Sequence, residues 1–286
     1  MVANSEQVNP QLAGVPETLL IPLWARAMEQ SRRDPLIVDP ASAKIVQALN
    51  YDFDRFRRKR VETENFCVRS RVMDDVVSQI LTARPGTTVV EFGPGLDTRF
   101  QRLGHLATNW LEVDLPEVIA LRDRFFTPHA ARRTVACSML DEHWLDVCGS
   151  LCSEQPPLLI AEGVFYFFSD TEIRELLGAI GHRFPNSSFV FDAVSPWYLK
   201  FSNLRHPLTT SRLQFSLGPG AAEIPDWHSN WQIQQYVGYG DSPWYDSVMH
   251  RFPWWKRAAV RLLPVARHAF MIVHAAAKND SPETNE

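Results

Sequence analysis

The chain has 286 residues, 45% of them hydrophobic and 22% charged, with a formal net charge of −4. That length carries one large α/β domain with an added cap, and the charge gives no global field that would gather nucleic acid. No run approaches the roughly twenty apolar residues of a membrane helix. The opening MVANSEQVNPQ has neither the basic nor the apolar section of a secretion signal. A cytoplasmic protein with no nucleic-acid or membrane partner is therefore expected. Cys67, Cys137, Cys148 and Cys152 lack companion metal ligands and a secretory setting, and read as buried free thiols.

In chain order, Pro22 opens LWARAMEQSRR, where strong helix formers follow a first-turn proline. Asp34-Pro35 and Asp39-Pro40 break the pattern before ASAKIVQALN starts a second helix. These elements form a cap of about residues 15–80 ahead of the sheet. YDFDRFRRKR mixes aromatics and cations and reads as a solvated helix face rather than an anion patch. In VRSRVMDDVVSQIL, Val68, Val72, Val76 and Ile80 repeat every four residues, an apolar stripe directed at a sheet.

Residues 87–98, TTVVEFGPGLDT, hold a β-branched run closed by Glu91 and followed by Gly93 and Gly95. A buried strand leading into a tight glycine loop is a nucleotide-site signature. The third glycine of a dinucleotide loop is replaced by Thr98, with Asp97 before it, which counts against a diphosphate and NAD. A cofactor with a cationic or zwitterionic tail, S-adenosylmethionine, suits the acidic position better. Downstream, Trp110 to Val113 form a second strand ending in Asp114, about twenty residues after the loop, where a carboxylate accepts both ribose hydroxyls. Leu115 follows it. PEVIALRDRFF then reads as a helix and RTVACSML as a third strand.

The fourth strand, Leu158 to Ala161, runs into Glu162 at its carboxyl end, where open α/β sheets bind ligands. Ser169-x-x-Glu172 is a capping box opening the next helix. SSFVFDAV is a fifth strand ending near Asp192. From 195 to 244 the sequence turns rich in Trp, Tyr, Pro, Gly and His, including Trp197, Tyr198, Trp227, Trp231, Tyr236, Tyr239 and Trp244. That composition suggests a lid over an apolar acceptor pocket. Within it NWQIQQYVGY alternates as a strand, and with HAFMIVHAAAK it can form an antiparallel edge. KNDSPETNE reads as a frayed tail.

Five segments together resemble bacterial class I O-methyltransferases of the leucine carboxyl methyltransferase and tetracenomycin type. They are ETLLIPLWARAMEQSRRDPLIVDPASAKIV, FCVRSRVMDD, VVEFGPGLDTRFQRL, EVDLPEVIALR and LLIAEGVFYFF. The likeness is much thinner after about Trp197. It implies a mostly parallel, doubly wound methyltransferase sheet and S-adenosylmethionine as cofactor. It further implies that Arg69, the first arginine of R-x-R, contacts the cofactor carboxylate, for which a guanidinium is well suited. The alternative for Arg69 is a surface ion pair with Asp74 or Asp75. The family's third strand commonly ends in an aspartate on the adenine amino group. Here Ser138 stands there beside Met139, with Asp141 as the other candidate. Glu162 and the loop behind it line the meeting point of cofactor and acceptor in the family.

The expected activity is O-methylation of a small hydrophobic, aromatic or polyketide-type molecule, its oxygen directed at Glu162 and Tyr166. A hydroxyl acceptor is favoured and a carboxylate is the alternative. A hydroxyl wants a base, and Asp192, His206, His228 and His250 are the candidates. A cofactor-binding module without transfer activity, or an NAD-dependent oxidoreductase, are the readings from other classes. The expected cofactor residues are Arg69, Glu91, Gly93, Gly95, Asp97, Asp114, Leu115, Ser138, Met139 and Glu162. Tyr166, Asp192 and His228 are the expected catalytic residues.

Overall fold

The computed structural model describes residues 7–278 except 11, 13, 15, 60, 153, 154, 205–211 and 229. His206 and the final tail therefore lie outside the described residues. The chain opens with helices α1 (Leu20–Glu29), α2 (Pro40–Ala48), α3 (Asp54–Arg58) and α4 (Thr63–Ala83). It continues through β1 (Thr88–Phe92), α5 (Arg99–Leu103), β2 (Asn109–Asp114), α6 (Pro116–Arg122), β3 (Arg132–Ala136) and α7 (His143–Leu151). Next come β4 (Leu158–Ala161), α8 (Asp170–Arg183), β5 (Ser188–Val194), α9 (Pro196–Leu204), α10 (Glu223–Trp227) and β6 (Trp231–Gly238). The chain closes with α11 (Pro243–Val248), α12 (Trp254–Leu262), α13 (Pro264–Arg267) and β7 (Phe270–Ala277).

The strands form one sheet in the order β3-β2-β1-β4-β5-β7-β6. β1 to β5 run parallel, whereas β7 is antiparallel to both β5 and β6. The reversal of strand order between β1 and β4 opens a crevice at the carboxyl ends of those strands. Each face has its own core. Val68, Val72, Val76 and Ile80 of α4 pack on Val89, Leu158, Ile160 and Val190, so the four-residue stripe of α4 is directed at the sheet. On the opposite face Val90, Phe92, Leu159 and Phe191 meet α7 and α8 through Trp144, Leu176 and Leu177. Every residue of β1 and β5 is buried, and both are mainly apolar apart from Thr88, Glu91, Ser188 and Asp192.

The first three helices pack separately. Leu20, Leu23 and Trp24 join Ile45, Phe56, Leu96 and Leu121, which seats the amino-terminal helices on the glycine loop. Asp39 caps α2, its Oδ1 accepting from Ser42 N at 3.0 Å. In α3, Phe56 points inward while Arg57 and Arg58 remain in water.

Three boundaries depart from expectation. α4, placed within the amino-terminal cap, belongs to the layer on the sheet. The third strand stops at Ala136, because Ser138 N donates to Asp141 Oδ2 at 2.9 Å and Leu140 N to Ser138 Oγ at 3.2 Å. These local side-chain bonds offer the backbone an alternative to the ladder. The region 195–244 is not one insertion over a pocket, since β6 is the sheet edge and Trp231 and Trp227 pack into the core.

The capping box on α8 is present in both directions: Ser169 Oγ accepts from Glu172 N at 3.3 Å, and Ser169 N donates to Glu172 Oε2 at 2.7 Å. Replacing Ser169 by Ala is expected to lower unfolding stability by about 0.5–2 kcal/mol. Urea denaturation measures this, and an unchanged midpoint would show the cap contributes nothing.

Candidate active site

β1 delivers the chain into Gly93-Pro94-Gly95. Both glycines have positive φ, +56° and +51°, a region that other residues enter at a cost. There is also no room for a side chain. A Cβ on Gly93 would fall 2.5 Å from Val164 Cγ2, and one on Gly95 would fall 2.9 Å from Leu19 Cβ. From the neighbouring β2, Asp114 Oδ2 accepts from Gly95 N at 2.8 Å and its Oδ1 from Leu115 N at 2.8 Å. Burial pushes the Asp114 carboxyl up to about 6, against the opposing pull of those two N–H groups. A carboxylate has about four acceptor positions, so two bonds leave capacity facing the crevice.

Beneath the loop lies a set of buried arginines that sequence reasoning missed. Arg99, wholly buried at the start of α5, donates through Nε to Asp74 Oδ1 at 2.8 Å and through Nη1 to Glu91 Oε1 at 2.7 Å. Its Nη2 donates to Glu162. Arg26 of α1 binds Asp39 Oδ2 at 3.0 Å and Asp97 Oδ2 at 3.3 Å, and reaches Leu96 O at 3.3 Å. Arg102 adds Asp74 Oδ2 at 2.6 Å and Asp97 Oδ1 at 3.2 Å. Arg122 donates to the carbonyls of Gly95 and Asp97 at 2.6 and 3.0 Å while Glu112 holds its other nitrogens. The available signal was Glu91 and Glu112, acids inside otherwise apolar strands, which demand buried cations.

This arrangement redefines several expected cofactor acids. Both oxygens of Glu91 are taken, one by Arg99 and the other by Trp110 Nε1 at 3.0 Å, and burial pushes its carboxyl up despite Arg99. Burial would also raise Asp97, but Arg26, Arg102 and Arg99 overcome it and hold the group well below its ordinary value. Asp97 thus faces arginines, not an acid-seeking cationic tail. Glu162 accepts from Arg69 Nε at 2.9 Å, from Ser70 Oγ at 2.8 Å and from Arg99. Against the upward push of burial, Arg99 and Arg69 keep it ionised. Its carboxylate positions two arginines, so its surplus charge is already neutralised beside the crevice.

Arg69 is not a surface ion pair; Arg71 makes that contact, with Asp75 at 3.2 Å. Arg69 is buried, its Nη1 lying 3.3 Å from Asp192 Oδ2 and its guanidinium packing on Gly163. Asp192 is fully buried, accepting from Gly163 N at 2.7 Å and from Tyr166 Oη. Burial raises the Asp192 carboxyl, and burial together with the Asp192 charge raises the Tyr166 hydroxyl far above its ordinary value. As an expected base, Asp192 is therefore corrected to a brace for Gly163, Tyr166 and Arg69. His228 is corrected too: its Nε2 meets Arg174 O at 2.7 Å, against α8 and outside the crevice. His250 bonds Ser247 O at 3.0 Å and also lies outside it.

A cavity of about 1020 Å³ occupies the crevice. Gly93, Gly95, Asp114, Leu115, Ser138 and Met139 line it, as do Arg69, Glu162 and Tyr166. Asp141, the other adenine candidate, is not on the wall and holds Ser138 N instead. Among the described residues no cluster of His, Cys, Asp or Glu could hold a metal ion. A glycine pair with no space for Cβ atoms and an aspartate with unfilled acceptor positions fit a nucleoside-bearing cofactor lying over the loop.

A sheet of this order with an antiparallel β7, and a nucleoside crevice at the β1 and β4 ends, define a class I S-adenosylmethionine-dependent methyltransferase. The chain belongs to the leucine carboxyl methyltransferase family, which it matches over residues 20–181. It is 28% identical over 269 residues to the tetracenomycin polyketide synthesis O-methyltransferase TcmP of Streptomyces glaucescens, covering 92% of this chain and 97% of that one. It is 30% identical over 193 residues to the S-adenosyl-L-methionine-dependent methyltransferase dpfgK of Gibberella zeae, covering 62% and 63% of the two chains. A putative S-adenosyl-L-methionine-dependent methyltransferase of Frankia alni is 28% identical over 253 residues, 82% of this chain and 88% of its own. The protein is an S-adenosylmethionine-dependent enzyme, and the NAD reading is set aside.

With Asp114 as the expected ribose acceptor, strongest when ionised, affinity for S-adenosylhomocysteine should be greatest above about pH 6 and fall as pH drops through the raised Asp114 value. Calorimetry across that range checks it. Asp114→Asn should bind about 1–3 kcal/mol more weakly and lose the pH dependence. A variant with unchanged affinity would remove Asp114 from the ribose site.

Proposed function

We propose that the enzyme methylates an oxygen of a small, flat, largely apolar acceptor of aromatic or polyketide type. The observation that carries this reading is the aromatic part of the cavity lining, which includes Phe66, Trp197, Tyr198, Phe201, Tyr245 and Phe270. Trp197 and Phe201 of α9 stack with ring centroids 5.6 Å apart and planes within 4°, a surface matched to a planar molecule. In this reading α9 is the lid, a smaller element than the span 195–244. The tetracenomycin polyketide name carried by the Streptomyces relative agrees with it. The four free thiols suit the reducing cytoplasm.

When bound, S-adenosylmethionine supplies an electrophilic methyl group on a sulfonium. Asp114 holds the ribose, the Gly93 to Gly95 backbone passes close beneath the nucleoside, and Ser138 serves the adenine edge between Leu115 and Met139. Arg69 takes the amino-acid carboxylate. The braces on these groups provide alignment, which in a direct displacement supplies much of the catalysis. Tyr166 keeps its proton and orients, rather than abstracts.

A hydroxyl acceptor needs a base near neutral pH, whereas a carboxylate does not. One observation favours the carboxylate: among the described residues the cavity wall contains no histidine, and Asp192 and Tyr166 are bonded to each other. Lys59 stands on the same wall, the right charge for an acidic acceptor, whereas Lys256 there is paired with Glu62. The family's own description as carboxyl methyltransferases leans the same way.

A panel of planar aromatic acids and phenols, assayed with saturating S-adenosylmethionine, separates the cases. A carboxylate acceptor yields a methyl ester at a rate independent of pH from about 5 to 9, and a hydroxyl acceptor gives a rate rising through a histidine-like or phenol-like pKa. Transfer to nitrogen acceptors alone would overturn both.

A further inference from the structure

One surface beside the cavity is unlike the rest of this acidic chain. Residues 254–267, WWKRAAVRLLPVAR, carry four cations and no acid in a protein of net charge −4. They also hold Trp254, Trp255, Leu262, Leu263 and Val265, half of the ten large hydrophobic side chains exposed among the described residues. Trp254 and Leu262 are 74% and 76% exposed.

Helical spacing sorts these groups. Trp254, Ala258 and Leu262 of α12 lie four residues apart on one face. Leu263 and Val265 extend that face past the helix end. Arg257 and Arg261 flank it and have no ion-pair partner among the described residues, whereas Lys256 pairs with Glu62 and Arg267 with Asp241. The inner side of α12, through Trp255, Lys256, Ala259 and Val260, lines the cavity, and Trp255 is also partly in solvent. An exposed apolar stripe edged by unpaired cations and tryptophans is the signature of a helix lying in a lipid interface.

We propose that α12 and α13 dock this enzyme on an anionic lipid membrane surface. The charge is complementary to anionic headgroups, and the exposed Trp and Leu side chains reach an apolar layer that a purely acidic protein partner would not offer. No described helix is long and apolar enough to cross a membrane, so the contact is peripheral. It revises the expectation, drawn from overall charge, of no membrane partner. One consequence, that a lipid-soluble acceptor enters the cavity from the membrane, rests on the apolar-acceptor reading above; the docking itself does not.

Co-sedimentation of the full chain with vesicles tests the docking alone. Binding is expected to vesicles containing phosphatidylglycerol, weakly or not at all to pure phosphatidylcholine, and to fall as salt rises. Arg257→Gln with Arg261→Gln should weaken vesicle affinity by roughly fivefold for each cation. Trp254→Ser with Leu262→Ser should weaken it by about tenfold or more, with S-adenosylhomocysteine affinity unchanged as the control for folding. No association with phosphatidylglycerol vesicles overturns the proposal, including the case where an acidic protein occupies the patch instead. Equal association by the Trp254→Ser, Leu262→Ser variant overturns it as well.

Discussion

The three-way grip of Arg99 is the interaction on which the site depends. Its guanidinium ties Asp74 of α4, Glu91 at the end of β1 and Glu162 after β4, joining the helix layer to the two strands that border the crevice. Each carboxylate alone would be costly to bury, and each is tolerated because a cation with fixed fork geometry meets it. The consequence is geometric. Arg26, Arg102 and Arg122 extend the same arrangement to Asp97 and to the carbonyls of the glycine loop. The loop is therefore held in shape by the protein's own side chains.

Much of the fold was legible because its strands end in diagnostic residues. Asp114 and Glu162 stand at or just beyond the carboxyl ends of β2 and β4, and Glu91 and Asp192 lie within the last residues of β1 and β5. The alternation in NWQIQQYVGY and the apolar HAFMIVHAAAK anticipated the antiparallel β6 and β7 edge. β3 was overrun because Ser138 and Asp141 form a local turn that apolar pattern does not reveal. The lid was drawn too wide because aromatic content is shared by core and pocket. Trp231 anchors the core with its Nε1 on Leu177 O, while Trp197 faces the cavity, and composition does not distinguish them.

The site was legible only by half. The glycines and Asp114 announce themselves by spacing, and the structure joins them through the Gly95 N to Asp114 Oδ2 bond. The arginines did not, because Arg is ordinarily a surface residue and its buried partners are distant in sequence: Arg99 and Glu162 are separated by 63 positions. Without those partners, Glu91, Asp97 and Glu162 looked like free acids facing a cationic cofactor. With them, Glu162 and Asp192 become the means by which Arg69 and Tyr166 are aimed. The charged groups of this site are occupied with one another.

A double-mutant cycle on Arg99→Met and Glu162→Gln, read by S-adenosylhomocysteine affinity and by unfolding stability, tests this account most directly. If the two side chains act as one brace for the crevice, the pair should show a coupling of about 0.5–3 kcal/mol in both readouts, because the loss of Arg99 from Glu91 and Asp74 is common to the Arg99→Met single and double variants and cancels in the cycle. Single effects that simply add, within about 0.3–0.5 kcal/mol, would show that the buried ion pair does not organise the cofactor site.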